Sequence, residues 1–142
     1  RFHIEYSISP AITLKNRFEY SFYKEGTTYK GTGYLIYQDV AWKNPAGKLS
    51  LTTRYALFDT DSWDERIYAY ENDLLYAFSV PAYYYKGSRC YLLFGYRVTQ
   101  AINLSIRFAY SSLSDRSVFG SGLDEIDGNH KSELKVQLRI NI

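Results

Sequence analysis

The residues best placed to do chemistry are two carboxylates in the run Arg66-Ile67-Tyr68-Ala69-Tyr70-Glu71-Asn72-Asp73. Two positions apart on a strand, Glu71 and Asp73 project to the same side, about 7 Å from each other. Carboxyl pairs at such distances can hydrolyse glycosides or share a proton. The competing reading is ion pairing with Arg66 or Arg89. No second catalytic partner is identifiable, so pairing is expected and no catalytic residue is assigned. Asp59, Asp61 and Asp64 suggest a calcium loop, but Asp64 falls on the glycine position of an EF-hand and Tyr70 on its bidentate glutamate. A solvated acidic loop is expected there, and neither a metal nor a cofactor is assigned.

Other groups are weaker still. His3 and His130 are the only histidines, too few for a histidine-clustered zinc site. His130 stands close to Ser132 in sequence but at a loop edge, a poor setting for a serine nucleophile and its base. Gly120-Ser121-Gly122 lacks the strand and helix that flank a nucleophile elbow or a phosphate loop, and reads as a loop tip. Tyr83-Tyr84-Tyr85 can stack sugars or sit at a membrane edge, and the edge is the expected role. The single Cys90 forbids an intrachain disulfide.

These residues must be held by strands, because the chain alternates with a period of two. Cys90, Leu92, Phe94, Tyr96 and Val98 alternate with Arg89, Tyr91, Gly95 and Arg97. After a tight connection through Thr99, Gln100 and Ala101, Ile102, Leu104, Ile106, Phe108 and Tyr110 alternate with Asn103, Ser105, Arg107, Ala109 and Ser111. The same design recurs in Phe2–Ile8, in Ile12–Phe22, in Leu49–Leu57 and in Leu134–Ile142. Residues 28–40 are less clear, since Tyr34, Leu35, Ile36 and Tyr37 run together; Tyr29, Gly33, Leu35 and Tyr37 are expected outward, with Lys30, Thr32 and Gln38 inward. Pro10 and Pro45 fall in turns, where a missing N–H costs least.

Composition sets the frame. With 142 residues, residues 1–142 are expected to form one domain. A net charge of +2 does not imply nucleic acid. No apolar run approaches the ~20 residues of a membrane helix, but barrel strands hide their apolar residues in alternate positions. Aromatics reach 18%, with 16 tyrosines, which suits an interfacial belt, a sugar-stacking surface or a sheet. There is no methionine and no basic-plus-apolar leader, so a piece truncated at its N-terminus is expected.

A soluble sandwich turns its charged face to water, whereas a membrane barrel turns its apolar face to lipid and encloses the charges. Strand lengths near the 9–11 residues of a tilted span, with aromatic ends, favour the second. The expected fold is therefore all-β: an antiparallel up-and-down transmembrane β-barrel, or the C-terminal part of a larger one. Arg17, Glu19, Arg54, Arg97, Arg107, Glu133 and Arg139 are assigned to the lumen, where pairing offsets desolvation. Phe18, Tyr20, Leu51, Tyr55, Phe94, Tyr96, Ile106, Phe108, Leu134 and Leu138 are assigned to lipid. Short turns at 9–11, 43–47 and 99–101 belong on one side, with the longer 24–27 and 112–130 connections on the other. Residues 59–87 cannot hold a single span without breaking the alternation of direction, so a long extracellular or inward-folding loop with some strand is expected, leaving seven or so spans.

Several stretches resemble the C-terminal region of a Bacteroidota family of outer-membrane proteins that carry helix-hairpin-helix motifs before their barrel. They are Tyr37-Gln38-Asp39-Val40, Arg54 to Thr60, Arg66 to Ser79, Gly120 to Ile126 and Lys131 to Gln137. The resemblance covers most of residues 34–142. It implies a barrel in the outer membrane of a Gram-negative bacterium, with the lipid bilayer and other envelope proteins as partners. DNA would be contacted only through an upstream region absent from these residues. The final Ile142, in place of a terminal aromatic, departs from the common assembly signal of such barrels.

The expected role is non-enzymatic: porin-like transport, channel formation or membership of an envelope complex. The alternative is a soluble antiparallel sandwich or barrel that binds glycans through exposed tyrosines. An outer-membrane enzyme comes third.

Overall fold

The computed structural model describes residues 1–26, 28–120 and 122–141, apart from the side chains of Glu25 and Tyr29. Seven strands form one antiparallel up-and-down sheet: β1 (Phe2–Ser9), β2 (Ile12–Glu25), β3 (Thr28–Lys43), β4 (Leu49–Thr60), β7 (Lys86–Arg97), β8 (Ile102–Leu113) and β11 (His130–Ile140). Each pairs with the next in the chain, skipping only the short elements. These are β5 (Ile67–Tyr68) paired with β6 (Ala82–Tyr83), β9 (Val118–Phe119) paired with β10 (Ile126–Asp127), and a 3-10 turn at Gly122–Asp124. The sheet is open: β1 and β11 are its edges, and no ladder joins them among the described residues.

The register turns alternation along each strand into two chemically distinct faces. One row crosses all seven strands as Tyr6, Leu14, Val40, Thr53, Leu92, Phe108 and Leu134. The next row, one residue along, reads Glu5, Lys15, Asp39, Arg54, Tyr91, Ala109 and Glu133. Side chains one position apart point to opposite faces, so one face is apolar and the other charged. Short turns gather at one end, at 10–11, 44–48 and 98–101. There Asn44 shapes the β3–β4 turn: its Oδ1 accepts from the Ala46 amide at 2.7 Å, and Gly47 supplies a φ of 66°. The longer connections 61–85 and 114–129 leave from the other end.

The apolar face is uncovered. Leu134, Val136, Leu138 and Ile140 are each at least 60% exposed, and Phe18, Tyr20, Ile36, Tyr55, Leu57 and Phe108 are exposed as well. Leu51, Phe94 and Ile106 are half-buried in a row that ends on Val136. The charged face is covered by the 61–85 connection, and the core lies between them. Leu35, Tyr37, Ala56 and Phe58 of the sheet pack there against Ile67, Ala69 and Tyr83 of the connection, with Leu113 alongside.

β3 faces opposite to expectation. Leu35 and Tyr37 are buried on the inner face, Gly33 is buried with them, and Gln38 is on the outer face, where its Nε2 donates to Asn16 Oδ1 at 3.1 Å. Four consecutive apolar residues carry no alternation of their own. The facing is set by neighbours instead: Ile36 is opposite Phe18 and Leu57, while Asp39 is opposite Arg54. The Tyr29 side chain lies outside the described residues, as do Thr27 of the 24–27 connection, Ser121 and the terminal Ile142.

Candidate functional site

Residues 61–85 fold back over the charged face as an irregular hairpin. Its arms touch through β5 and β6 and a bridge from Glu71 to Ser79. The outgoing arm alternates, burying Ile67, Ala69 and Glu71 and exposing Tyr68 and Tyr70. It crosses the sheet obliquely, and a side chain meets its backbone at almost every step. Ser21 Oγ donates to the Glu65 carbonyl at 2.8 Å, Arg17 Nη2 to Tyr68 at 3.3 Å and Arg54 Nη1 to Tyr70 at 2.8 Å. Further along, Arg107 Nε donates to the Asn72 carbonyl at 3.1 Å and Gln137 Nε2 to Leu75 at 2.9 Å. Leu75 then lies beside a cavity of about 350 Å³ that also touches Gly47, Lys48 and Arg97 at the short-turn end. The hairpin therefore runs nearly the full height of the sheet.

Glu71 is the centre of the site. Its side chain is fully buried, and Arg89 grips it at two points, Nε to Oε1 at 2.8 Å and Nη2 to Oε2 at 3.0 Å. Arg107, also fully buried, donates Nη2 to Oε2, and the Tyr83 hydroxyl donates to Oε1 at 2.8 Å. Burial alone would raise the carboxyl pKa. The Arg89 and Tyr83 hydrogen bonds and the Arg107 charge outweigh it and hold Glu71 below the usual carboxylate range. Asp73 follows the same logic. Burial pushes it up, but the Lys135 ammonium at 2.6 Å, the Leu74 amide and Arg107 bring it below its ordinary value. Tyr83 moves up, through burial and the negative charge of Glu71. The pair is thus spent on cations, through Arg89 rather than Arg66, whose Nε and Nη1 go to the Tyr68 hydroxyl and the Trp63 carbonyl.

A second buried pair sits on the neighbouring strands. Arg54 meets Asp39 through Nε–Oδ1 at 2.6 Å and Nη2–Oδ2 at 2.8 Å, with its Cζ 3.6 Å from the Tyr37 ring centre. Asp39 was missed in the sequence; the inner sequence Tyr37, Asp39, Ala41 would have revealed it once Arg54 was placed opposite. The other inner assignments share this face. Arg17 pairs with Glu19, which also takes Arg1 at 2.9 Å. Glu133 lies 3.9 Å from both Arg89 and Arg107, Arg139 borders the Leu75 cavity, and Arg97 is exposed at its strand end.

The tyrosine triplet does not form an outer edge. Tyr83 points into the core, while Tyr84 packs edge-on against Trp63 at 4.6 Å and Tyr85 at 5.2 Å. The 83–85 run returns toward the sheet beneath the 114–129 connection, so its rings meet protein. Of the acidic triplet, Asp61 accepts from the Thr32 amide and hydroxyl, and Asp59 lies 3.4 Å from Lys86. Among the described residues no group of three or more His, Cys, Asp or Glu could hold a metal ion. His130 stacks on Tyr110 on the outer side of β11, and its Nδ1 is 3.3 Å from Asn129 Oδ1.

Fold and site define an all-β, up-and-down protein with a bare apolar face and an ion-paired face occupied by its own hairpin. Compared with family models, curated proteins and solved structures, the chain gives no match to any of them.

Proposed function

We propose that this sheet is wall from an outer-membrane β-barrel of a Gram-negative bacterium, and that residues 61–85 fill its lumen. The observation that carries the reading is the inversion of the two faces. Large apolar side chains from every strand of the sheet, from Phe2 and Ile4 on β1 to Leu138 and Ile140 on β11, would be left to water on a soluble monomer, where contiguous apolar patches seldom exceed a few hundred Å². Lipid is the solvent that such a face suits, while the arginines and carboxylates find partners behind it. The resemblance to the Bacteroidota outer-membrane family points the same way.

The open edges add a parity argument. The first and seventh strands of a meander run in the same direction, so direct closure would pair β1 with β11 in parallel. Lipid does not tolerate bare edges. An antiparallel barrel therefore takes an odd number of further strands between β11 and β1. With the interior occupied and its carboxylates tied up, the role is non-catalytic. It fits passage that requires the hairpin to move, or a scaffold in an envelope complex, better than an open pore.

Cell fractionation with detergent extraction tests the reading. The protein should sediment with outer membranes and leave them only in detergent. Recovery as a soluble monomer without detergent would overturn it.

A further inference from the structure

We propose that the aromatic cleft at the long-connection end of the sheet is a binding site for an oligosaccharide of two or more neutral units. The cleft goes beyond the wall reading and does not rest on it, since its residues come from the connections and the inner face. Trp63 follows β4, Tyr84 and Tyr85 precede β7, Phe119 ends β9, Asp124 closes the 3-10 turn and Lys131 is the second residue of β11. Together they line a cavity of about 540 Å³. A second cavity of about 380 Å³ shares Tyr84, Phe119 and Lys131 and continues inward to Arg89, Ser111 and Glu133. Both volumes lie within the range of small-ligand sites.

The lining selects the ligand chemistry. Tyr84 is the hub of the rings, 4.6 Å from Trp63, 5.2 Å from Tyr85 and 6.2 Å from Phe119. Arg66 and Arg116 already cover one face of Trp63 and of Tyr85, so Tyr84 and Phe119 are the rings offered to the C–H face of a pyranose, while one carboxylate (Asp124) and one ammonium (Lys131) serve hydroxyls that both donate and accept. A cationic ligand fits badly. Arg116 already stands 4.1 Å over the Tyr85 ring and Arg66 stands 4.8 Å over Trp63, and Lys131 adds a third positive charge.

The backbone gives an independent sign. Tyr85 holds a φ of 58°, a left-handed conformation that is unfavourable for a bulky residue. Thr60 pins it from both sides: its Oγ1 accepts from the Tyr85 amide at 2.7 Å, and its own amide donates to the Tyr85 carbonyl at 3.0 Å. Over-determined strain of this kind concentrates at ligand clamps.

The test uses the whole chain in a detergent without a sugar headgroup, in a Trp42→Phe background that leaves Trp63 as the only tryptophan. Maltose, cellobiose and N,N′-diacetylchitobiose are titrated while Trp63 fluorescence is read, with tetramethylammonium as the cationic comparison. At least one disaccharide should give a saturable change. Tyr84→Ala should weaken that binding about tenfold or more, and Tyr76→Ala, at the exposed far tip, should not. Asp124→Asn serves as the second variant if Tyr84→Ala does not fold. No saturation with any of the three up to tens of millimolar, a response to tetramethylammonium alone, or binding undiminished by the cleft variants would each overturn the proposal.

Discussion

Arg89 on β7 and Glu71 on the hairpin form a two-point ion pair, 2.8 and 3.0 Å, with neither side chain reaching solvent appreciably. The pair fixes the hairpin to the middle of the sheet, and Arg107 reinforces it from β8. Losing one partner strands the others in a dry interior, so Glu71→Leu leaves two buried guanidinium groups with only the more distant Glu133 and Asp73 as counter-charges. It should cost about 3–5 kcal/mol in equilibrium urea unfolding. Replacing Glu71, Arg89 and Arg107 together by Leu should recover most of that loss, because an apolar patch has no charge to satisfy. A triple variant as unstable as the single one would show that the site does more than offset its own desolvation.

The same cluster sets a pH dependence. Glu71 and Asp73 both have lowered pKa values in the fold, so the folded state holds their protons less tightly than the unfolded chain does. Their contribution is fully present above the unfolded carboxylate values of about 4. It is lost as pH falls from there through the lower folded values. Melting temperatures should therefore be flat from neutrality down to about pH 5 and drop below about pH 4. Glu71→Gln should remove part of that drop, and calorimetry across the series reads it directly.

Much of this architecture was legible in the sequence because alternation records facing directly. In β8, Arg107 and Phe108 are neighbours in the chain, yet Arg107 is fully buried and Phe108 is 44% exposed. In β11 the same rule places Leu134 outside and Lys135 inside. Legibility failed where the inner face becomes apolar beneath the hairpin: at Leu35 and Tyr37 both faces of β3 are greasy, and the period loses its meaning. The two-carboxylate motif was visible together with Arg89 as a partner, but Arg107, Tyr83 and Lys135 were not. Arg107 lies 36 positions from Glu71, and only the fold of the hairpin brings them together. The position of Tyr83 likewise depends on that path.

Gly87 marks a close approach between β7 and β8. A Cβ there would run into the Ser112 carbonyl and come within 2.9 Å of the Phe58 ring. The carbonyl is backbone and cannot swing away, so Gly87→Ala should destabilise by about 1–3 kcal/mol. Gly31 offers the contrast. Its added methyl would meet mainly the Glu65 carboxylate, the far end of a flexible side chain. Gly31→Ala should cost less in the same urea titration, and equal losses would mean that the two strands can shift apart.

The facing of β8 gives the most direct test of what covers the apolar side. Phe108 sits in the outer row between Leu92 and Leu134, whereas Ser105 lies between Gly95 and Gln137 and borders the cavity of about 350 Å³. If lipid covers the outer row, Phe108→Arg places a guanidinium in hydrocarbon and should impair assembly into vesicles by about 2–4 kcal/mol near mid-bilayer. Ser105→Arg turns the same group toward a polar space lined by Asp73 and Gln137 as well as Lys48, Arg97 and Arg139, where it stays out of hydrocarbon. Its effect on assembly should be clearly smaller. The comparison isolates direction from charge, because both variants add one arginine to the same strand three residues apart. Equal penalties would remove the distinction between the faces and with it the case for lipid. A larger penalty at Ser105 would reverse their assignment.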